Sequence, residues 1–297
     1  MIKLPNEIDI NNLISDLRIY SWEASDIMLS YSRKLQYLND KGEIIKSKIN
    51  NEPVTLADLE VNSLIIKRIN EKYGHIGWEI LSEENEIYDC KNSQIPEWLW
   101  VLDPLDGTRD FIQGTGQYAM HLALSYQNKP FLGLVLIPEK NELWISNGQY
   151  CWCERRDGSQ YQPTLNIKKS IKDMKLVTSK NNKNEILKRL IKNTKFKEST
   201  TMGSVGCKIA SILRGENDVY ISLSIPNQSY PKDWDFAAPE AILKASGGAI
   251  TNIENQELKY NKSNFEQSGV IIASNDKSNH ESICSYVKEI VKKYCPL

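Results

Sequence analysis

The chain has 297 residues, 40 % of them hydrophobic and 25 % charged, with a formal net charge of −1. That composition is ordinary for a folded protein and excludes a disordered or low-complexity one. So even a charge balance supplies no general attraction to nucleic acid or to an anionic membrane, no apolar run approaches the roughly 20 residues of a membrane helix, and no basic stretch leads into an apolar core at the N-terminus, so a cytoplasmic protein is expected.

Residues 11 to 37 carry helical periodicity and predict a long amphipathic helix. The polar stretch from Lys41 to Glu52 is expected to be mobile. In Pro53-Val-Thr-Leu-Ala-Asp58, Thr55 is a natural N-cap with Asp58 three positions on, and apolar residues at 61, 64, 65 and 69 continue a helix. Capping alone can account for Asp58. Leu81-Ser-Glu-Glu84 ends a strand that starts near Trp78. Its adjacent acids repel one another unless a cation lies close, although a solvated strand end is the plain alternative.

Trp100-Val-Leu-Asp-Pro-Leu-Asp-Gly-Thr108 is the most informative segment. An apolar strand ends here, with Pro104 expected to stop its pairing. Asp103 and Asp106 stand three residues apart on the turn, Gly107 lets the backbone approach a ligand, and Thr108 can cap a helix beginning at Arg109. Free N–H groups at a helix start favour an anion, and two hard carboxylates beside an anion site are what Mg²⁺ and a phosphate require together. An ordinary Asp/Gly turn remains the competing reading. A meander follows: an alternating strand over 121–126, a turn at 127–130, an apolar strand over 131–137 and a third strand from Glu142 to Cys153.

From about Asn166 strands and helices alternate: strand 175–179, helices 184–192 and 205–214, strand 218–223, helix 236–246, strands 249–253 and 270–273, and helix 278–293. The pattern predicts an α/β protein with an α+β N-terminal half over 1–165 and an α/β C-terminal half over 166–297. Asp235, in Trp234-Asp-Phe-Ala-Ala-Pro-Glu-Ala-Ile-Leu-Lys-Ala-Ser-Gly-Gly248, lies just before the helix it precedes, so capping is again an alternative. The basic run from Lys180 to Lys197 has apolar residues at 186, 187, 190 and 191 and reads as a helix with a solvated face, not a nucleic-acid surface. The six cysteines are too sparse for a disulfide scaffold. Cys151 and Cys153 point to one face of a strand, and with three histidines, none near them, zinc is not expected.

The series PVTLAD, LSEE, WVLDPLDGTRDFI and WDFAAPEAILKASGG, in this order from Pro53 to Gly248, resembles the lithium-sensitive, Mg²⁺-dependent phosphatase superfamily. That group includes inositol monophosphatases, fructose bisphosphatases and 3′(2′),5′-bisphosphate nucleotidases. The resemblance implies a layered α-β-α-β-α sandwich with the site between the halves, the first holding metal and phosphate and the second holding substrate. It implies that Glu83 and Asp103, with the Leu105 carbonyl, hold one ion, that Asp103, Asp106 and Asp235 hold a second, and that a weaker third lies near Asp58 and Glu83. It also implies that the N–H groups of Gly107 and Thr108 receive the phosphate, that Thr108 and Asp58 orient and deprotonate the attacking water, and that Li⁺ inhibits.

Within the superfamily, Gly203-Ser204-Val-Gly206-Cys-Lys208 and the RGENDVYI that follows are similar to the nucleotide-contacting stretch of the bisphosphate nucleotidases. Helix-start N–H groups and Lys208 there can take a second phosphate or line a ribose. Ser204 and Lys208 are therefore candidate substrate contacts, as are Ser179 and Asn182. Asn182 stands where the family segment ends in histidine. The expected activity is removal of the 3′-phosphate from adenosine 3′,5′-bisphosphate, or from its sulfated relative, in sulfur metabolism. An inositol or broader sugar phosphatase is the alternative, and a non-catalytic phosphate-binding regulator is the alternative of another class. The oligomeric state is left open.

Overall fold

The computed structural model describes residues 4–5, 8–37, 41–48, 53–85, 96–165, 169–180, 185–224, 230–262 and 264–294. Helix α1 (Ile10–Tyr37) is followed by the two-stranded ribbon β1 (Ile45–Ser47) and β2 (Pro53–Thr55), and by α2 (Leu56–Tyr73). Next come β3 (Glu79–Ser82), β4 (Trp98–Asp106), the short α3 (Thr108–Gln113), β5 (Ala119–Tyr126), β6 (Lys129–Ile137), β7 (Glu142–Ser146), β8 (Cys151–Glu154) and β9 (Gln160–Tyr161). The rest is β10 (Lys175–Ser179), α4 (Glu185–Asn193), β11 (Glu198–Met202), α5 (Val205–Leu213), β12 (Val219–Leu223), α6 (Asp233–Ala245), β13 (Ala249–Asn252), β14 (Val270–Ser274) and α7 (His280–Tyr294).

Two sheets organise these elements. The first runs β3-β4-β5-β6-β7-β8-β9, antiparallel except for the β3–β4 pair. The second runs β11-β10-β12-β14-β13, with β10, β11 and β12 parallel and β14 antiparallel to its neighbours. Alternation along β4 divides the core: Trp100 and Leu102 join Leu17 and Met28 of α1 and Ile65 of α2, whereas Leu99 and Val101 join Ile209 of α5, Phe236 of α6 and Tyr220 of β12. The outer face of the second sheet packs Ile221 and Ile272 on Leu190 of α4 and Val287 of α7. The layers therefore run α1/α2, sheet, α5/α6, sheet, α4/α7, which is the expected α-β-α-β-α sandwich.

Several local expectations change. The Glu142–Cys153 stretch is a hairpin of two strands, turning at Asn147-Gly148, where the glycine has φ 87°. Pro104 does not end β4, which continues to Asp106 with its register slipping between Asp103 and Asp106. The proline removes one ladder N–H and leaves the strand to bulge. Residues 119–125 are buried on both faces rather than alternating, because helices cover each side of the sheet. Part of the polar 41–52 stretch forms β1, paired to β2. Strand β11, Glu-Ser-Thr-Thr-Met, was not anticipated; it is an exposed edge with no apolar alternation to announce it. Helix α3 starts at Thr108 itself, with Gly107 at the cap position and φ 91°. Helix α6 starts at Asp233, so Asp235 lies inside its first turn.

Candidate active site

Thr55 and Asp58 form the anticipated capping box. Thr55 N–H donates to Asp58 Oδ2 at 2.8 Å and Thr55 Oγ1 to the same oxygen at 2.5 Å. That leaves Oδ1, which lies 3.3 Å from Thr108 Oγ1. The cap thus occupies one oxygen of Asp58 and leaves the other facing Thr108. Burial pushes its pKa up to about 7, helped by the charges of Glu84 and Glu83 and opposed by the Thr55 hydrogen bonds. Thr108 Oγ1 is also 3.2 Å from the Leu105 carbonyl, so a single hydroxyl proton faces two acceptors.

Asp103, Asp106 and Asp235 converge, with their nearest carboxylate oxygens all within 4.8 Å of one another. Asp103 Oδ1 accepts from Leu105 N–H at 3.0 Å, and Asp235 Oδ2 accepts from Lys232 N–H at 2.5 Å. Burial, then the charge of Glu83 for Asp103 and of Asp106 for Asp235, raises both pKa values well above the carboxylate range. Asp106 is held across the interlayer gap: its Oδ2 accepts from Ser204 Oγ at 2.7 Å, from Val205 N–H at 2.5 Å and from Gly206 N–H at 3.4 Å. Glu83 sits on the turn after β3, hydrogen-bonded to Asp103, and burial raises its pKa against the opposing charge of Lys48.

This donor set fits a hard divalent cation. It is built from oxygens alone, and buried carboxylates crowded together with raised proton affinity need positive charge to ionise together. Sequence reasoning missed Lys48, whose Nζ lies 2.7 Å from both Glu83 Oε1 and Glu84 Oε1. It also missed Lys180, 2.5 Å from Asp110 Oδ1, and His121, 3.4 Å from Asp106 Oδ2. Acidic spacing cannot announce them, since each arrives from a different strand or loop.

The substrate candidates are arranged differently from the expectation. The first amides of α5 point at Asp106, and Lys208 is buried, donating to the Gly203 carbonyl with its ammonium 5.4 Å from the Tyr220 ring. Those groups each hold a contact within the protein. Burial lowers the Lys208 pKa, against the raising charges of Asp106 and Asp235. Ser179 ends β10 and hydrogen-bonds Tyr220, at the carboxyl edge of the parallel strands where open α/β sheets receive ligands. Asn182 lies outside the described residues. Cys151 and Cys153 are reduced thiols buried on one face of β8, and burial pushes both up to about 12. Among the described residues, no helix is long and apolar enough to cross a membrane.

Residues 16–292 match the model of the inositol monophosphatase family. A 3′(2′),5′-bisphosphate nucleotidase CysQ from Aggregatibacter actinomycetemcomitans is 28 % identical over 240 residues, covering 81 % of this chain and 87 % of that protein. Among solved structures, an inositol monophosphatase from Anabaena superposes with a TM-score of 0.72 at 19 % identity, covering 98 % of this chain and 99 % of its own. CysQ from Bacteroides thetaiotaomicron gives 0.66 at 23 % identity, covering 86 % and 94 %. The structural matches establish a shared fold, and the family match spans nearly the whole sequence: the chain belongs to the inositol monophosphatase family.

Proposed function

We propose that this chain is a Mg²⁺-dependent phosphomonoesterase that removes the 3′-phosphate of adenosine 3′,5′-bisphosphate. The observation that carries the chemistry is the meeting of Asp103, Asp106 and Asp235 beside the Gly107–Thr108 turn and the Asp58–Thr108 pair. The similarity to proteins named bisphosphate nucleotidase supports the substrate.

Glu83, Asp103, Asp106, Asp235 and the Leu105 carbonyl would hold the ions, with Asp58 near a weaker one. Bound Mg²⁺ supplies charge neutralisation of the phosphate and a more acidic water. The chain's own groups do the rest. The N–H groups of Gly107 and Thr108, at a helix start where they lack intrahelical acceptors, bind phosphate oxygens. Thr108 Oγ1 orients the attacking water and passes a proton to Asp58 Oδ1, 3.3 Å away. Ser179, Asn182, Ser204 and Lys208 come from residues 166–297, which we assign to the nucleotide, whereas residues 1–165 supply the phosphate cradle and all the ion-holding groups except Asp235.

Phosphate release from adenosine 3′,5′-bisphosphate is expected to exceed that from inositol 1-phosphate by at least about tenfold in kcat/KM, a margin within the reach of pocket contacts. Comparable values overturn the substrate assignment. No metal-dependent release from any phosphomonoester overturns the reaction class.

A further inference from the structure

We propose that His121 is the positioning residue of the carboxylate cluster: a single buried imidazole sets the spacing of the segments carrying Asp103, Asp106 and Asp235, and with it the affinity for the divalent cation. The inference rests on the reading above that these carboxylates hold the ion.

His121 touches all three segments. In the β4–β5 ladder it is the residue directly opposite Asp103, and cross-strand partners share a face. Its Nδ1 lies 3.4 Å from the carbonyl oxygen of Trp234, the peptide that leads into Asp235. Its Nε2 lies 3.4 Å from Asp106 Oδ2. A carbonyl can only accept, so a hydrogen bond to Trp234 puts the proton on Nδ1 and leaves Nε2 facing Asp106, without a hydrogen-bond partner among the described residues. The ring is fully buried. An imidazole with one unpartnered nitrogen is a costly way to fill a core position, and a leucine would pack there without the penalty.

Gly206 completes the argument. A Cβ at that position would stand 2.3 Å from His121 Nε2 and 2.7 Å from Val135 Cγ1, so the first turn of α5 can approach the ring only as glycine. The same Gly206 contributes an N–H 3.4 Å from Asp106 Oδ2. Ring, glycine and carboxylate are therefore packed as one unit. Shrinking the ring frees the Trp234 peptide and Asp106 to separate, and adding a methyl group to the glycine pushes the ring into them. Side chains that hold ligands in place from behind are worth about 10- to 100-fold in metal affinity.

The test is calorimetric titration of the full chain with Mg²⁺, beside urea unfolding in EDTA and the Mg²⁺ dependence of turnover. His121→Ala is expected to weaken Mg²⁺ binding about 10- to 100-fold, His121→Gln, which keeps an amide donor for Trp234, to recover to within about threefold of wild type, and Gly206→Ala to weaken it although His121 is retained. Turnover at saturating Mg²⁺ should change less than the Mg²⁺ concentration needed to reach half of it. Should His121→Ala fail to fold, the glutamine and Gly206 variants decide the matter. Unchanged Mg²⁺ affinity with lowered stability in EDTA makes the ring merely structural and overturns the proposal, as does a glutamine variant no better than alanine. A wild-type chain that takes up no Mg²⁺ instead overturns the metal reading, and the proposal falls with it.

Discussion

Replacing Asp103 by asparagine should move stability in opposite directions with and without metal. The side chain is buried, and its carboxylate lies within 4.8 Å of those of Asp106 and Asp235. At that distance and an effective dielectric of about 20, two full charges repel by roughly 3.5 kcal/mol. Burial and the charges of Glu83, Asp106 and Asp235 push the Asp103 pKa well up, which is the sign of that repulsion in the metal-free chain. Deleting the charge should therefore stabilise the metal-free chain by about 1–3 kcal/mol, which raises Tm by roughly 2–6 °C. With Mg²⁺ the order inverts. A cation at a hundred times its Kd stabilises the wild type by about 2.7 kcal/mol, and a variant lacking the ligand that we propose two ions share forfeits most of that. The assay is thermal unfolding of both proteins in EDTA and across a Mg²⁺ series, with phosphate release measured in parallel. Two crossing lines and lost turnover are expected. An asparagine variant that is less stable in EDTA, or that gains as much from Mg²⁺ as the wild type, refutes the argument.

Three further outcomes follow from the same geometry. Thr108→Val removes the hydroxyl facing Asp58 and should lower kcat about 10²- to 10⁴-fold while leaving Mg²⁺ affinity near wild type, and near-normal turnover would rule out the Thr108–Asp58 pair. Gly133→Ala would place a Cβ 2.7 Å from Ala241 Cβ and 2.8 Å from the Ala238 carbonyl, so it should destabilise by about 1–3 kcal/mol in urea, and no loss would mean that α6 does not press on β6. In EDTA, Asp58 and Asp233 hold pKa values of about 7 and about 6 in the folded state, above the unfolded value near 3.9. These two carboxyls then bind more protons folded than unfolded between about pH 4 and pH 7, so the stability they contribute should fall as pH rises through that window, against the opposite contribution of His280, whose pKa burial lowers to about 4. Asp58→Asn should flatten this decline, and an unchanged slope removes Asp58 as its source.

The parts of the fold legible in sequence are those whose signal is local. The α1 periodicity, the Thr55–Asp58 box and the apolar run of β6 are each contiguous in sequence, and the structure reproduces them. The four acidic segments were legible as a series because residue order survives folding. What stayed hidden depends on which elements meet. His121 is an isolated residue in a hydrophobic strand until the β4–β5 register sets it opposite Asp103. Gly206 reads as one more helix-start glycine until the ring beside it is known. Lys208 carried the expected charge, yet its direction is decided by the Gly203 carbonyl, which spacing cannot convey. The edge strand β11 failed for another reason: with both of its faces largely polar, it has no burial pattern to read.

The route by which Asp235 reaches the other acids explains why the site is built as it is. Helix α6 follows β12 of the second sheet in sequence, yet its buried face lies against β5 and β6 of the first, with Gly133 admitting Ala238 and Ala241. That packing delivers Asp235 to the end of β4, where the β4–β5 register slips between Asp103 and Asp106 and brings their carboxylates together with its own. Helix α5, from the same layer, closes the arrangement by fixing Asp106 through Ser204, Val205 and Gly206. Three carboxylates brought together without a cation repel, so the folded layers hold them against their own electrostatics. The energy for that comes from the apolar layer between the sheets, where Phe236, Ile242, Ile209 and Ile212 are fully buried. Destabilising that layer should therefore loosen the ion site before it unfolds the chain, because the carboxylates are the part of the structure that gains most by moving apart.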